Sequence, residues 1–172
     1  EVGHQVEVYE EENNWSLSKL QQETDGKALE NFKKFYPDLH TNFYNKKSNL
    51  KEVVADANLV IVHEWNEPEL VATIGKLKEK HRYKLLFHDT HHRSVSAPEE
   101  MQKYDLSDYD GVLAFGDVIK NIYIKSNWCE NAWTWHEAAD IHLFKPMPQA
   151  TQGDLVWVGN WGDDERTDEL EE

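Results

Sequence analysis

Three histidines lie in one short polar stretch that directly follows an apolar run. Residues 84–93 read Lys-Leu-Leu-Phe-His-Asp-Thr-His-His-Arg. The run from Leu85 to Phe87 predicts a strand buried on both faces, and His88 to Arg93 predict a polar loop at its carboxyl end. In open α/β sheets, ligands bind at the carboxyl edge of the strands. We therefore expect a binding site here.

The same pattern, an apolar run followed by polar residues, recurs along the chain. Residues 58–62, 111–115 and 132–135 are further predicted strands, with 58–62 again buried on both faces. The polar residues that follow them are His63-Glu64-Trp65, Gly116-Asp117 and His136-Glu137. Five of the nine histidines belong to these four strand ends. That concentration favours a ligand cleft over unrelated polar loops.

Helical segments alternate with the predicted strands. Residues 69–80 and 117–126 carry apolar residues at helical spacing, and residues 16–36 predict two helices separated by Asp25-Gly26. We expect the apolar stripe of the second of these to lie in the core; it comprises Leu29, Phe32, Phe35 and Tyr36. The alternation predicts an α/β fold with a mainly parallel sheet and right-handed crossovers.

Composition narrows the classes of partner. The chain has 172 residues and a formal net charge of -15, which argues against a nucleic-acid backbone or an anionic membrane as partner. No apolar run approaches the eighteen or so residues of a membrane span. The lone Cys129 excludes an intrachain disulfide and suits a reducing, cytoplasmic compartment. Both ends look cut, which predicts a fragment of a longer protein.

Three chemistries could use the polar strand ends. His88, Asp89, His91 and His92 are competent metal ligands, but they occupy one loop and lack a helix-borne His-Glu-x-x-His pair. Ser94, Ser96 or Cys129 could act as a nucleophile, although no Gly-x-Ser-x-Gly turn is present. The third chemistry is the binding of a polyhydroxylated substrate.

Sugars require polar groups around their hydroxyls and an aromatic surface for their C–H face. The strand ends supply both, in Glu64, Asn66, Asp89, His91 and Arg93 together with Trp65 and Trp135. No Gly-x-Gly-x-x-Gly loop occurs, so these residues do not support a dinucleotide site.

Three stretches resemble a known family. Residues 136–146, His-Glu-Ala-Ala-Asp-Ile-His-Leu-Phe-Lys-Pro, resemble the Asn-Gly-Val-Asp-x-x-x-Phe-x-Pro stretch that closes the N-terminal domain of many GT-B glycosyltransferases. His136-Glu137 replaces the usual Asn-Gly, as in the branch that resembles spore-maturation-protein glycosyltransferases. Leu155 to Gly159 resembles the first strand and glycine turn of the donor-binding domain, and residues 3–8 resemble the second strand of the N-terminal domain.

The resemblance implies a Rossmann-like GT-B N-terminal domain over residues 1–149, with its first strand missing. Residues 150–172 would form the linker and the start of the donor-binding C-terminal domain, the rest of which is missing. It implies transfer of a sugar from a nucleotide-sugar donor to an acceptor, in the cytoplasm and without a metal or other cofactor. The fragment alone is expected to be inactive.

The residues expected to act follow from the resemblance and the strand ends together. Asp89 and His91 are the expected catalytic residues. The expected acceptor-binding residues are Glu64, Trp65, Asn66, His88, Thr90, His92, Arg93, Gly116, His136 and Glu137. The expected donor-binding residues are Gly159, Asn160 and Arg166, and Arg166 would meet the donor diphosphate because Asn160 stands where relatives commonly carry an arginine.

Two other functions stay open at this point. One is a metal-dependent hydrolase that uses His88, Asp89, His91 and His92. The other is a non-catalytic, flavodoxin-like binding module.

Overall fold

The computed structural model describes residues 3–141, 143–146, 148 and 153. This part of the chain is an α/β structure with parallel sheets flanked by helices. The elements in chain order are β1 (Val8–Glu11), α1 (Trp15–Thr24), α2 (Lys27–Phe35), β2 (Thr41–Tyr44), α3 (Leu50–Val53), β3 (Leu59–His63), α4 (Pro68–His81), β4 (Lys84–Asp89), α5 (Arg93–Ser96), α6 (Pro98–Met101), β5 (Gly111–Ala114), α7 (Asp117–Lys125) and β6 (Ala132–Thr134).

The strands form two separate parallel sheets. β1 pairs with β2 in a two-stranded sheet. The larger sheet has the order β3-β4-β5-β6, so each strand lies beside its neighbour in sequence. Parallel crossovers are right-handed, and four strands added in one direction therefore place all their connecting helices on the same face.

Burial along the strands distinguishes the two faces of the four-stranded sheet. We call the face that carries Val62, Leu85 and Phe87 the helix-covered face, because these residues are at most 4% exposed. The other face, which carries Leu59, Ile61, His63, Leu86, His88 and Trp133, we call the open face. The two sets alternate along each strand because successive side chains point to opposite faces.

The core fills the helix-covered face. Val71, Ile74 and Leu77 of α4 and Ile119 and Tyr123 of α7 pack there against the apolar side chains of β3, β4 and β5. Because these residues recur every three or four positions, each helix presents one apolar stripe to the sheet.

Two buried tyrosines fix α4 to the sheet. Tyr83 donates a hydrogen bond to the carbonyl of Ile74 at 2.6 Å, and Tyr109 donates one to the carbonyl of Val71 at 2.9 Å. The helix begins at Pro68, whose missing N–H needs no partner in the first turn, and ends at Arg82 in the left-handed conformation with φ of 57°.

Most predicted elements are present. The predicted break at Asp25-Gly26 is confirmed, since both residues have positive φ and separate α1 from α2. β1 covers Val8–Glu11 and so shares only Val8 with the stretch 3–8 that resembles a strand. The short helix α5 after the histidine-rich stretch was not predicted.

Two predictions about burial are wrong for the described part of the chain. β3 is not buried on both faces, since Leu59 is 51% and Ile61 42% exposed on the open face. The stripe of α2 is not in the core, since Phe32 is 44% and Phe35 64% exposed. One face of β3 remains exposed because the connecting helices of the larger sheet lie on its other face. α2 lies between β1 and β2, outside the larger sheet, and no residue of this helix is buried.

The described residues divide into two compact units, and the boundary between them falls between Glu137 and Ala138 in the sequence. In the second unit, the carbonyl of Asp140 accepts hydrogen bonds from the N–H groups of Leu143 and Phe144. The strand predicted at residues 155–158 lies outside the described residues. No helix in the described part is long and apolar enough to cross a membrane.

We expect Gly111→Ala to destabilise the protein. A Cβ at Gly111 would meet the ring of Trp133 and lie 2.8 Å from the carbonyl oxygen of Asn131. Overpacking of this kind costs about 1–3 kcal/mol, which urea denaturation would measure. Gly116→Ala is the control, because nothing lies within 4 Å of its added Cβ. Equal stability of the Gly111 variant and the wild type would contradict the prediction.

Candidate functional site

The carboxyl ends of β3 and β4 bring the predicted polar residues together. The register sets His63 of β3 directly opposite His88 of β4. β4 continues two residues beyond its apolar run, so that His88 and Asp89 belong to the strand itself. Because neighbouring strand residues point to opposite faces, His63 and His88 lie on the open face while Glu64 and Asp89 are buried under the helices.

A row of aromatic rings lies at the carboxyl end of the open face. The rings of His63 and His88 meet edge to face, with centroids 5.3 Å apart and an interplanar angle of 88°. His88 in turn lies 5.6 Å from the ring of Trp135 at an angle of 31°. Trp135 follows β6 and remains 49% exposed. This row joins residues that are 72 positions apart in the sequence, from His63 to Trp135.

Hydrogen bonds define the tautomer of His63. Its Nδ1 accepts from the backbone N–H of Trp65 at 3.3 Å, and so carries no proton. Its Nε2 therefore bears the proton, which it donates to Thr90 Oγ1 at 3.2 Å. Thr90 donates onward to Glu64 Oε1 at 3.4 Å. Burial, followed by the neighbouring His88, lowers the pKa of His63, so the ring is neutral near pH 7.

Glu64 and Arg93 form a buried ion pair beneath the loops. Glu64 is 0% exposed, and Arg93 donates both to its carboxylate and, at 2.7 Å, to its backbone carbonyl. Tyr104 donates to the same carbonyl at 2.5 Å. The guanidinium of Arg93 also lies over the ring of Trp65, 4.6 Å from its centroid. Glu64 and Arg93 therefore hold the loops that follow β3 and β4 in place, and their charges satisfy each other.

Asp89 is also completely buried. Its carboxylate accepts a hydrogen bond from Tyr123 at 2.9 Å and one from the backbone N–H of His91 at 3.0 Å. Burial raises the pKa of Asp89, and the two hydrogen bonds oppose that shift. In this conformation the carboxylate contacts its own protein rather than the surface, so its effect on a ligand would pass through His91.

A second ring cluster is formed by the residues that follow β3 and β4. Trp65 and His91 are 5.3 Å apart at 71°, and His91 and His92 are 4.2 Å apart at 33°. His92 Nδ1 lies 2.9 Å from Ser96 Oγ. Trp65 is 62% exposed, so this cluster also faces solvent. His91 Nδ1, Arg93 Nε and Ser94 Oγ are buried and have no hydrogen-bond partner among the described residues.

The other predicted acceptor-binding residues occupy different positions. Asn66 accepts a hydrogen bond from Tyr44 at 2.6 Å, which links the loop after β3 to β2. Gly116 precedes the first turn of α7. His136 Nδ1 donates to the carbonyl of Phe115 at 2.8 Å, because a carbonyl can only accept. Glu137 is exposed, and its charge acts on both His63 and His88.

The site residues predicted on the donor side, Gly159, Asn160 and Arg166, lie outside the described residues. Of the predicted nucleophiles, Ser94 is 3% exposed and the thiol of Cys129 donates to the carbonyl of Asn131. Burial raises the pKa of that thiol, which opposes formation of a thiolate.

The four predicted metal ligands do not surround one point. His88 and Asp89 point to opposite faces of the sheet, and His91 and His92 lie against each other after the end of β4. Among the described residues, no group of three or more histidine, cysteine, aspartate or glutamate side chains could hold a metal ion. The donor set therefore gives the metal-dependent hydrolase no geometric support.

Sequence reasoning missed three residues of this edge. His63 was not among the expected ligand-binding residues, although it ends an apolar run in the same way as His88. Tyr104 and Tyr123 were also missed, and they hold Glu64 and Asp89. No pattern in the sequence identifies them, because their partners lie 40 and 34 residues away.

A cavity in the described part of the chain lies away from this edge. It has a volume of about 460 Å³ and is lined by residues at the amino end of β4 and at the end of α4, including Lys78, Arg82 and Lys84. Lys78 and Lys84 both pair with Asp110. The carboxyl edge is by contrast an open surface.

No family model matches the sequence, and neither a curated protein nor a solved structure matches it.

We expect Arg93→Ala to cost about 3–5 kcal/mol of unfolding free energy, because the Glu64 carboxylate would remain buried without its counter-charge. Chemical denaturation would measure it. Lys103→Ala is the control: its partner is Glu100 and both side chains are at least half exposed, so the cost should be below about 1 kcal/mol. Similar losses in both variants would contradict a special role for Arg93.

Asp89→Asn should become more stabilising, relative to the wild type, as pH rises. The folded-state pKa of Asp89 is raised above its ordinary 3.8, so ionisation of the buried carboxyl destabilises the wild type from about pH 4 upward. Asparagine cannot ionise, and its Oδ1 can still accept from the N–H of His91.

Thermal unfolding of both proteins between about pH 4 and pH 7 would measure the difference. Asp89→Ala, which leaves Tyr123 and the N–H of His91 unpaired, is the control and should be destabilised throughout. A difference in Tm between Asp89→Asn and the wild type that does not change with pH would contradict the prediction.

Proposed function

We propose that this chain is the acceptor-side domain of a GT-B glycosyltransferase, which moves a sugar from a nucleotide-sugar donor to an acceptor. One observation carries the proposal. Imidazole and indole side chains from the ends of β3, β4 and β6 meet, partly exposed, at the carboxyl edge of a parallel sheet. That edge is where α/β proteins bind ligands, and these side chains match the hydroxyls and the C–H faces of a sugar.

The acceptor lies against the two ring clusters in this proposal. His91 contacts the acceptor, with Trp65 beside it and His92 stacked on it. His88, Thr90, His136 and Glu137 provide polar groups on the side of the open face. A hydroxyl held by oriented imidazoles attacks more readily, because its orientation no longer has to be gained in the transition state.

Buried charges act as positioning groups. Asp89 fixes the backbone of His91 by accepting its N–H, and the Glu64–Arg93 pair supports Trp65 from below. Rigid support of this kind matters because small displacements of catalytic groups are costly in rate. We therefore assign Asp89 a role through His91 rather than contact with the acceptor.

The donor belongs to a second domain in this proposal. Gly159, Asn160 and Arg166 would begin the donor side, and the rest would come from the donor-binding domain. The formal charge of -15 on the chain makes it a poor receptor for a diphosphate by itself. We propose in addition that the protein acts in the cytoplasm, where nucleotide-sugars are available, and that the transfer requires no cofactor.

The test uses the polypeptide that carries both domains. Release of nucleotide from a panel of nucleotide-sugars, with mass-spectrometric detection of the glycoside, measures transfer. We expect His91→Ala to lower kcat/KM by about 10²-fold or more, as loss of a group that orients the reacting hydroxyl does. His40→Ala is the control, because His40 is exposed and lies just before β2, which belongs to the two-stranded sheet.

Two further variants separate positioning from contact. Asp89→Asn keeps the acceptor for the N–H of His91 and should retain most of the kcat that Asp89→Ala loses. No nucleotide release from any donor, or full activity of His91→Ala, would remove the proposal. Binding of sugars without any transfer would favour the flavodoxin-like binding module.

The isolated chain provides a separate prediction. Calorimetric titration with the same nucleotide-sugars should give no binding in the micromolar range, since carboxylates outnumber cations by 33 to 18. The nucleoside corresponding to each donor, which lacks the diphosphate, is the control for an effect of charge. Micromolar binding would mean that the donor site lies within these residues.

A further inference from the structure

The ring pair of His88 and Trp135 has the shape of a binding platform. The two rings are tilted by only 31°, with their centroids 5.6 Å apart, and His63 braces His88 from the side at 88°. Trp135 is 49% exposed and His88 is half-buried, so one surface of the pair remains accessible. Such a surface suits the flat C–H face of a pyranose ring, because an indole contributes apolar area with little loss of conformational freedom.

His63 and His88 differ in what their nitrogens do. Both nitrogens of His63 are engaged, by the N–H of Trp65 and by Thr90. Neither ring nitrogen of His88 has a hydrogen-bond partner among the described residues. His88 therefore keeps one donor and one acceptor for a ligand, and these are the complements of a sugar hydroxyl.

Charge at the platform is unfavourable for anions. Burial is the main cause that lowers the pKa of both His63 and His88, so both rings are neutral near pH 7. Arg93, a cation whose charge acts on His63, already pairs with Glu64 and lies over the ring of Trp65. Glu137 is exposed, and its negative charge is felt by both histidines.

The next strand end adds no free positive charge. Asp117 accepts from Lys120 and from Thr134, so that the lysine is neutralised where it stands. A phosphate at the platform would therefore meet the carboxylate of Glu137, while the lysine of this strand end is already paired. A like charge near the site weakens the binding of an anion by Coulomb repulsion, and salt screens part of that effect.

From these observations we infer that the platform of His88 and Trp135 binds an uncharged or amino sugar ring and discriminates against phosphorylated sugars. Trp135 takes the C–H face, His88 exchanges hydrogen bonds with a ring hydroxyl, and Glu137 supplies the charge that repels anions and attracts an ammonium group. The identification of this ring as the acceptor rests on the proposed function; the binding itself does not.

Direct binding to the chain tests the inference. Heteronuclear NMR of the indole N–H signals, at about pH 7, follows titration with methyl glucopyranoside, glucosamine and glucose 6-phosphate. We expect methyl glucopyranoside and glucosamine to shift the Trp135 signal, with glucose 6-phosphate binding about tenfold or more weakly, which corresponds to about 1.4 kcal/mol.

Variants identify the groups responsible. Trp135→Ala should weaken the binding of methyl glucopyranoside about tenfold or more. Trp15→Ala, which removes a 74% exposed indole on α1, should leave that binding unchanged. Glu137→Gln should narrow the difference in affinity between glucose 6-phosphate and methyl glucopyranoside by at least about threefold, because the repelling charge is removed. Glu137 forms no ion pair among the described residues, so this substitution should not destabilise the fold.

Three results would overturn the inference: no shift with any of the sugars, equal binding of glucose 6-phosphate, or unchanged binding in Trp135→Ala. Its failure is separable from failure of the proposed function. Transfer by the two-domain polypeptide without sugar binding at Trp135 would move the acceptor to another part of the edge. Sugar binding at Trp135 without nucleotide release would instead support the inferred binding platform and contradict the proposed transferase activity.

Discussion

Parallel pairing of β3, β4, β5 and β6 in sequence order is the constraint on which the rest of this structure depends. Right-handed crossovers between strands added in one direction put every connecting helix on one face. The core therefore forms on that face, between α4, α7 and the strands. The other face remains open in the described part of the chain, with Leu59 and Ile61 half exposed. All four carboxyl ends meet at one edge.

Alternation along the strands then divides the polar residues of that edge into two groups. Glu64 and Asp89 point under the helices, where burial requires that Arg93, Tyr123 and backbone groups satisfy them. His63 and His88, one residue earlier in each strand, point to the open face and remain accessible. A shift of one residue in register would exchange the two groups, so the pairing of His63 with His88 decides which residues can meet a ligand.

Buried and accessible groups therefore have different functions at this edge. The buried ion pair contributes little net stability by itself, but removal of either partner is costly, and this makes the loop geometry well defined. The accessible rings are neutral because they are partly desolvated, which suits contact with hydroxyls rather than with phosphate. At the end of each strand, neighbouring residues therefore divide two roles, which are support of the loops and contact with a ligand.

The sequence by itself determined the type and order of most elements, because hydrophobic periodicity and turn residues are local signals. It predicted the α/β class, the break at Asp25-Gly26 and the approach of His63, His88 and His136 to one edge. Only the tertiary structure decided which of these residues is buried. The partners of Glu64 and Asp89, which are Tyr104, Arg93 and Tyr123, come from helices or turns 29 to 40 residues away. Likewise, the four consecutive aliphatic residues of β3 are compatible with burial on one face or on both. One face stayed open because the helices lie on the other, and their placement is a property of the whole sheet.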